Sequence, residues 1–159
     1  MKIIPAVEVV RRLNKIYEQI PSFECKHCHK CSNPILWFKP EEINIRKYLK
    51  KNHLTYLTFS DEEFKENQMR CPYLQKNRCS IYPVRPIVCR LQGTIKELHC
   101  PNNKTPLLTE TQYKKIIDEL NNLNRSINGM GGYYGTRKGV NSDYLRFEKE
   151  KRLNKQELI

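Results

Sequence analysis

The chain has 159 residues, of which 38% are hydrophobic, and 29 basic against 17 acidic residues give it a formal net charge of +12. This length predicts one domain. No run approaches the roughly 20 apolar residues of a membrane span, which excludes a membrane-spanning helix. Because Glu8 interrupts the first segment before a signal-peptide core accumulates, we expect a cytoplasmic protein with reduced thiols.

The positive charge is spread along the chain rather than concentrated in blocks. No block of about five like charges occurs, and dispersed lysines are typical of a solvated surface. Metal-bound thiolates would also offset part of the excess. We therefore expect no tight binding to nucleic acid or membrane, and a partner that is a protein or a small-molecule substrate.

Two amphipathic helices are predicted near the N-terminus. Apolar residues recur at helical spacing over residues 5–20, and Pro21 ends the pattern. A second helix is predicted over residues 40–51, because acidic side chains occupy its first turn and lysines its last. The apolar face of this second helix is expected to comprise Ile43, the Lys47 stem, Tyr48 and Leu49.

Two further helices are indicated by capping boxes. Ser60 and Glu63 predict a short helix, and Thr109 and Gln112 predict a long one. Residues 54–59, just before the first of these boxes, are rich in strand-forming residues and predict a strand. The long helix carries a strong apolar stripe at helical spacing that comprises Tyr113, Ile116, Ile117, Leu120, Leu123 and Ile127.

The segments between these helices carry cysteines. The sequence on either side of residues 75–78 predicts a β-hairpin with Cys71 and Cys79 on its arms. Pro86 suits the first turn of a helix of one or two turns, which would carry Cys89. We therefore expect cysteines to reach one region from separate segments.

The fold class expected from these elements is mainly α, with irregular cysteine-rich metal-binding loops and at most a short β-hairpin. Residues 1–128 are predicted to form a single metal-binding domain with its cysteine cluster at 25–100. Residues 129–141 are glycine-rich and read as a helix C-cap and connector rather than a phosphate-binding loop, because they follow a helix and not a strand. Residues 142–159 are predicted to be a basic C-terminal helix or tail.

Seven cysteines are the most informative feature of the chain. Three form a CxxCxxC run, which lets one loop turn its side chains towards a small centre, and four follow from separate loops. A disulfide framework is disfavoured, because the number is odd and the expected compartment is reducing; inert core thiols are the other alternative. The predicted metal ligands are Cys25, Cys28, Cys31, Cys71, Cys79, Cys89 and Cys100.

Both zinc and an iron–sulfur cluster suit such thiolates. Zinc needs four cysteines, or three cysteines and a histidine, in a tetrahedron. A CxxCxxC run with a remote Cys-Pro is typical of iron–sulfur clusters, and Cys-Pro occurs here at residues 71–72 and 100–101. The pattern favours an iron–sulfur cluster and leaves zinc open. The CxxxCxxC spacing of radical enzymes that cleave S-adenosylmethionine is absent.

The cysteine pattern also resembles a known family. The run Cys25-Lys-His-Cys-His-Lys-Cys and the segment from Cys71 to Arg90 together resemble the YkgJ-like cysteine-cluster proteins, zinc- or iron-chelating domains with the signature CxxCxxCC. The resemblance extends from about Cys25 to Cys100 and implies a metal site. Flagellin lysine methylase has a similar cysteine pattern, which implies methyl transfer to protein lysines in some relatives. No methyl-donor site is recognisable in this sequence, so its status as an enzyme stays open.

One residue departs from the family pattern. Ser32 stands where the family has the second cysteine of an adjacent pair. Because neighbouring side chains on an extended backbone point in opposite directions, the pair would serve two centres. We infer two four-thiolate sites in the family, and one complete and one three-thiolate site in this chain. The remaining position would be filled by water, substrate or one of His27, His29 and His99.

Arg85 and Arg90 lie on either side of Cys89. They are candidate cofactor-binding residues that would donate hydrogen bonds to sulfur or hold an anionic substrate, and surface salt bridges are the alternative. Trp37, Phe38 and Tyr82 are expected to be core or rim aromatics. Two functions follow: an iron–sulfur or zinc centre that supports redox chemistry or protein modification, or a zinc-stabilised binding module with a basic surface for nucleic acid or acidic partners.

Overall fold

The computed structural model describes residues 4–22, 34–98, 100, 105–127 and 134–139. In these ranges the chain forms five α-helices and two short antiparallel strand pairs, which confirms the predicted mainly helical fold with short β-structure. The helices are α1 (Ala6–Tyr17), α2 (Lys39–Lys51), α3 (Asp61–Glu66), α4 (Ile87–Leu91) and α5 (Glu110–Ser126), and the strands are β1 (Leu36–Trp37), β2 (Leu74–Gln75), β3 (Arg78–Cys79) and β4 (Tyr134–Gly135).

The capping boxes mark two helix starts as predicted. Glu63 N donates to Ser60 Oγ at 3.1 Å at the start of α3, and Gln112 N donates to Thr109 Oγ1 at 3.2 Å at the start of α5. In both boxes the side chain three residues on accepts a hydrogen bond from the cap backbone. These local bonds satisfy N–H groups that have no partner within the helix.

The predicted strand over residues 54–59 is wrong. Residues 54–58 form no regular element, and the pairing of this segment is confined to an isolated parallel bridge between Phe59 and Arg137. Phe59 N donates to Thr136 O at 2.8 Å, and Lys138 N donates to Phe59 O at 2.7 Å. Strand-forming side chains favour an extended backbone, but a strand also needs a partner along its whole length.

Residues 134–139, part of the predicted connector, pack against the rest of the structure. β4 pairs with β1, with Gly135 opposite Leu36. A Cβ atom on Gly135 would lie 2.3 Å from Ile35 O, so this pairing requires glycine. Residues 129–133 and 142–159 lie outside the described residues, and the domain boundaries stay a prediction.

Buried apolar side chains form two clusters. The helical core lies between α1, α4 and α5. The hairpin core lies between β1, α2 and the β2–β3 hairpin. The helical core comprises Leu13, Ile16, Tyr17, Ile87, Leu91, Ile95, Ile116, Leu120 and Leu123. The hairpin core comprises Trp37, Ile45, Leu49, Tyr73, Ile81 and Val84.

The buried face of α2 differs from the prediction. Ile43 and Tyr48 are half-buried rather than central, and Ile45 is fully buried. Glu41 and Glu42, the acidic residues of its first turn, are 0% and 4% exposed. The helix is turned so that two carboxylates face inward, where Ile87 N donates to Glu41 and Trp37 Nε1 donates to Glu42.

Candidate metal centre

Two of the candidate ligands lie on the β2–β3 hairpin, as predicted. Cys79 is paired with Leu74 in the ladder, and Cys71 precedes β2, where its carbonyl accepts a hydrogen bond from Leu74 N at 3.0 Å. Lys76 and Asn77 connect the strands with φ angles of 51° and 63°. Two positive φ values are typical of the type I′ turn, whose twist matches that of paired strands.

A third candidate ligand lies on α4. The N–H of Cys89 donates to Pro86 O at 3.0 Å, so the cysteine lies in the first turn, as predicted. The helix buries Ile87 and Leu91 in the helical core. The hairpin cysteines, by contrast, pack against the hairpin core. The elements that carry the three cysteines are thus anchored in different cores.

The thiols of these three cysteines interact electrostatically. Burial raises the pKa of Cys89, and the nearby Cys71 and Cys79 raise it further. Burial also raises the pKa of Cys79, while a hydrogen bond from Ile81 N–H and the charge of Arg85 oppose that rise. Thiolates that repel one another in a desolvated site are stabilised when a cation lies among them. This set of soft sulfur donors therefore fits zinc or iron.

The rest of the predicted ligand set is only partly described. Cys100 is half-buried, and all four described cysteines are thiols that form no disulfide. Considering only the ranges that the structure describes, no three His, Cys, Asp or Glu side chains are arranged to hold a metal ion by themselves. The other predicted ligands and candidate fourth ligands lie outside those ranges: Cys25, Cys28, Cys31, His27, His29 and His99, together with Ser32.

Arg85 is half-buried and interacts electrostatically with Cys79 and Cys89. Its guanidinium lies 3.8 Å from the centroid of the Tyr82 ring, and its Nε donates to Tyr82 O at 3.0 Å. Burial raises the pKa of both Cys79 and Cys89, and the positive charge of Arg85 opposes that rise. Tyr82 is 48% exposed, so this pair forms a surface next to the candidate centre. A role for Arg85 in binding a cofactor stays a prediction.

Arg90 connects the Cys89 segment to α1. Its Nε donates to Arg85 O at 2.7 Å, and its Nη2 donates to Pro83 O at 2.9 Å. Its guanidinium lies 3.9 Å from the centroid of the Tyr17 ring. Within the described ranges neither Arg90 nor Arg85 forms a salt bridge. The arginine thus holds the loop before α4 through backbone carbonyls.

Glu41 lies next to the centre and was missed by the sequence analysis as a site residue. Its carboxylate accepts hydrogen bonds from Tyr17 Oη and Ile87 N, and a longer one of 3.3 Å from Phe38 N. Burial raises the pKa of Glu41 to about 7, while these donors and Arg90 oppose the rise. An acidic pair in a first helical turn is typical of exposed helices, so no local pattern indicated its burial.

Glu42 is the partner of a different set of donors. It accepts from Trp37 Nε1 at 2.6 Å and Tyr56 Oη at 3.1 Å, and forms an ion pair with Arg46. Trp37 is 1% exposed, as expected for a core aromatic. Phe38 is half-buried. These contacts place Glu42 in the hairpin core, away from Tyr17 and Ile87.

Comparison with known proteins agrees with the cysteine chemistry. Residues 24–121 match the sequence model of the CxxCxxCC family, described as "Putative zinc- or iron-chelating domain". The match covers more than half of the chain. No curated protein and no solved structure matches the chain. Across the described residues, no helix is both long and apolar enough to cross a membrane.

Proposed function

Because the chain belongs to the CxxCxxCC family of metal-chelating domains, we propose that its cysteines hold an iron–sulfur cluster in preference to zinc. The observation that carries this proposal is the CxxCxxC run with a remote Cys-Pro at residues 71–72 and 100–101, to which Cys79 on the hairpin and Cys89 on α4 add further thiols. Thiols from two cores would be drawn to one point by a shared metal. The CxxCxxC run at residues 25–31 would complete the ligand set.

Hydrogen-bond donors and positive charge near the cysteine sulfurs are consistent with a bound iron–sulfur cluster. The N–H of Ile81 donates to Cys79, and Arg85 places a positive charge beside Cys79 and Cys89. Hydrogen bonds and charges near the sulfurs are what proteins use to set a cluster potential. A bound cluster would supply one-electron chemistry.

The partner follows from the ligand count. Ser32 leaves one cysteine fewer than the family signature, and a three-thiolate set keeps one coordination position for another group. We propose that a protein or small-molecule substrate of a redox or modification reaction uses this position in the cytoplasm. Arg85 and Tyr82 would form the surface it approaches.

Metal analysis of anaerobically purified full-length protein tests the proposal. We expect a brown protein with broad visible absorption and equal amounts of iron and acid-labile sulfide. Cys89→Ser should lose most of this absorption, whereas Ser80→Ala, which changes the hairpin but keeps every thiol, should retain it. A colourless protein that holds only zinc would overturn the cluster and favour a structural metal in a binding module. A protein without stoichiometric metal would overturn both.

A further inference from the structure

Glu41 joins three helices at one carboxylate. It lies in the first turn of α2, its partner Tyr17 ends α1, and its partner Ile87 begins α4. Ile87 precedes Cys89 by two residues. The carboxylate therefore holds the backbone at the start of the helix that carries a predicted metal ligand.

The burial of Glu41 is costly unless its oxygens are hydrogen-bonded. It is 0% exposed, and transferring a carboxylate from water to a protein interior is unfavourable unless the carboxylate is paired. Three donors, from Tyr17, Ile87 and Phe38, offset that cost. Such an arrangement is directional, because each oxygen must stay within bonding distance of its donors. An apolar side chain would fill the same volume without this directionality.

The packing of α2 fixes the position of the Glu41 carboxylate relative to the hairpin cysteines. Ile45 and Leu49 of α2 pack in the hairpin core, which also carries Cys71 and Cys79. The Ile87 side chain packs in the helical core. The hydrogen bond that Ile87 N donates to Glu41 therefore ties α2, which packs in the hairpin core, to α4, which carries Cys89 and packs in the helical core.

We propose that Glu41 is a positioning residue for the metal centre, which fixes the Cys89 sulfur relative to the hairpin cysteines through its bond to Ile87 N. This inference rests on the proposed function, since it requires Cys89 to be a ligand. Residues that orient metal ligands change metal affinity by about 10–100-fold when they are removed. The same range is expected here.

Glu42 offers a matched control. It is the next residue of the same helix and is 4% exposed. Its donors are the side chains of Trp37, Tyr56 and Arg46, none of which adjoins a described cysteine in the sequence. Removing either carboxylate leaves buried donors without an acceptor, so both changes should destabilise the fold by similar amounts. Only Glu41 acts on the Cys89 segment.

The test measures metal release from the folded full-length protein into excess chelator, well below its thermal midpoint. We expect Glu41→Leu to release metal about 10–100-fold faster than wild type. Glu42→Leu should stay within about threefold of wild type by the same principle. Glu41→Gln keeps an oxygen that accepts from Ile87 N and should restore retention to within about threefold.

A second pair of variants covers the case in which Glu41→Leu does not fold. Ile87 is the first residue of α4, a position that tolerates proline, and Pro86 before it has ψ of 165°, which suits a following proline. Ile87→Pro removes the N–H that donates to Glu41, whereas Ile87→Val shortens the side chain and keeps that N–H. We expect faster metal release from the proline variant alone.

The outcomes separate the two proposals. Equal release from Glu41→Leu and Glu42→Leu, or from Ile87→Pro and Ile87→Val, with metal retained by wild type, would overturn the positioning role and leave the proposed function standing. A wild-type protein that binds no metal would overturn the proposed function and, with it, the role of Glu41.

Discussion

Arg90 should stabilise the loop before Cys89 by an amount that its contacts allow us to work out. Its part-buried hydrogen bond to Arg85 O is worth about 1.5 kcal/mol, and its exposed one to Pro83 O about 0.5 kcal/mol. Its contact with the face of the buried Tyr17 ring adds about 0.5–1 kcal/mol. Arg90→Met keeps the apolar stem and removes these contacts, so we expect a loss of about 2.5–3 kcal/mol.

Urea unfolding of metal-saturated protein, followed by far-UV circular dichroism, measures this loss. Arg90→Lys should lose at least about half as much, because an ammonium group cannot reach both carbonyls with the planar fork of a guanidinium. Arg85→Met is the control: its exposed bond to Tyr82 O and its contact with the exposed Tyr82 ring predict a smaller loss of about 1–1.5 kcal/mol. An unfolding free energy for Arg90→Met within about 0.5 kcal/mol of wild type would refute the reasoning.

Three smaller predictions concern the framework around the centre. Gly135→Ala should destabilise the protein by about 1–3 kcal/mol, because its Cβ would lie 2.3 Å from Ile35 O, and an unchanged thermal midpoint would contradict this contact. Replacing Lys76 and Asn77 with Asn-Gly should stabilise the protein by about 1 kcal/mol in urea unfolding, since both φ angles are positive, and a loss of stability would argue against the type I′ turn. Hydrogen bonds from neighbouring arginines lower the pKa of Glu8 to about 2. Its contribution is therefore present above about pH 4.5 and declines as the pH falls towards 2, so the stability difference between wild type and Glu8→Gln should shrink from about pH 5 to pH 3; a difference independent of pH would contradict this pairing.

Local sequence patterns predicted the elements whose signals are local. The capping boxes at Ser60 and Thr109 place their helix starts because donor and acceptor are three residues apart. The β2–β3 hairpin and the short helix after Pro86 follow from turn and proline chemistry for the same reason. The positions of Cys79 and Cys89 on these elements were therefore predictable.

Contacts between distant segments were not predictable in this way. The partners of Glu41 lie 24 and 46 residues away along the chain, so nothing near the carboxylate marks it as buried. Ile35 N donates to Thr136 Oγ1 across 101 residues, next to the pairing of β4 with β1. A pattern read over a window of about 11–18 residues records the periodicity of one element but not its tertiary partners.

X-ray absorption at the metal edge tests the central claim, that cysteine sulfurs ligate the metal, most directly. For the wild-type protein the account predicts a first shell dominated by sulfur at about 2.3 Å, the distance of a metal–thiolate bond. In the Cys89→Ser variant, any metal that remains bound should have fewer sulfur atoms in its first coordination shell. A wild-type first shell of oxygen and nitrogen without sulfur would contradict the account.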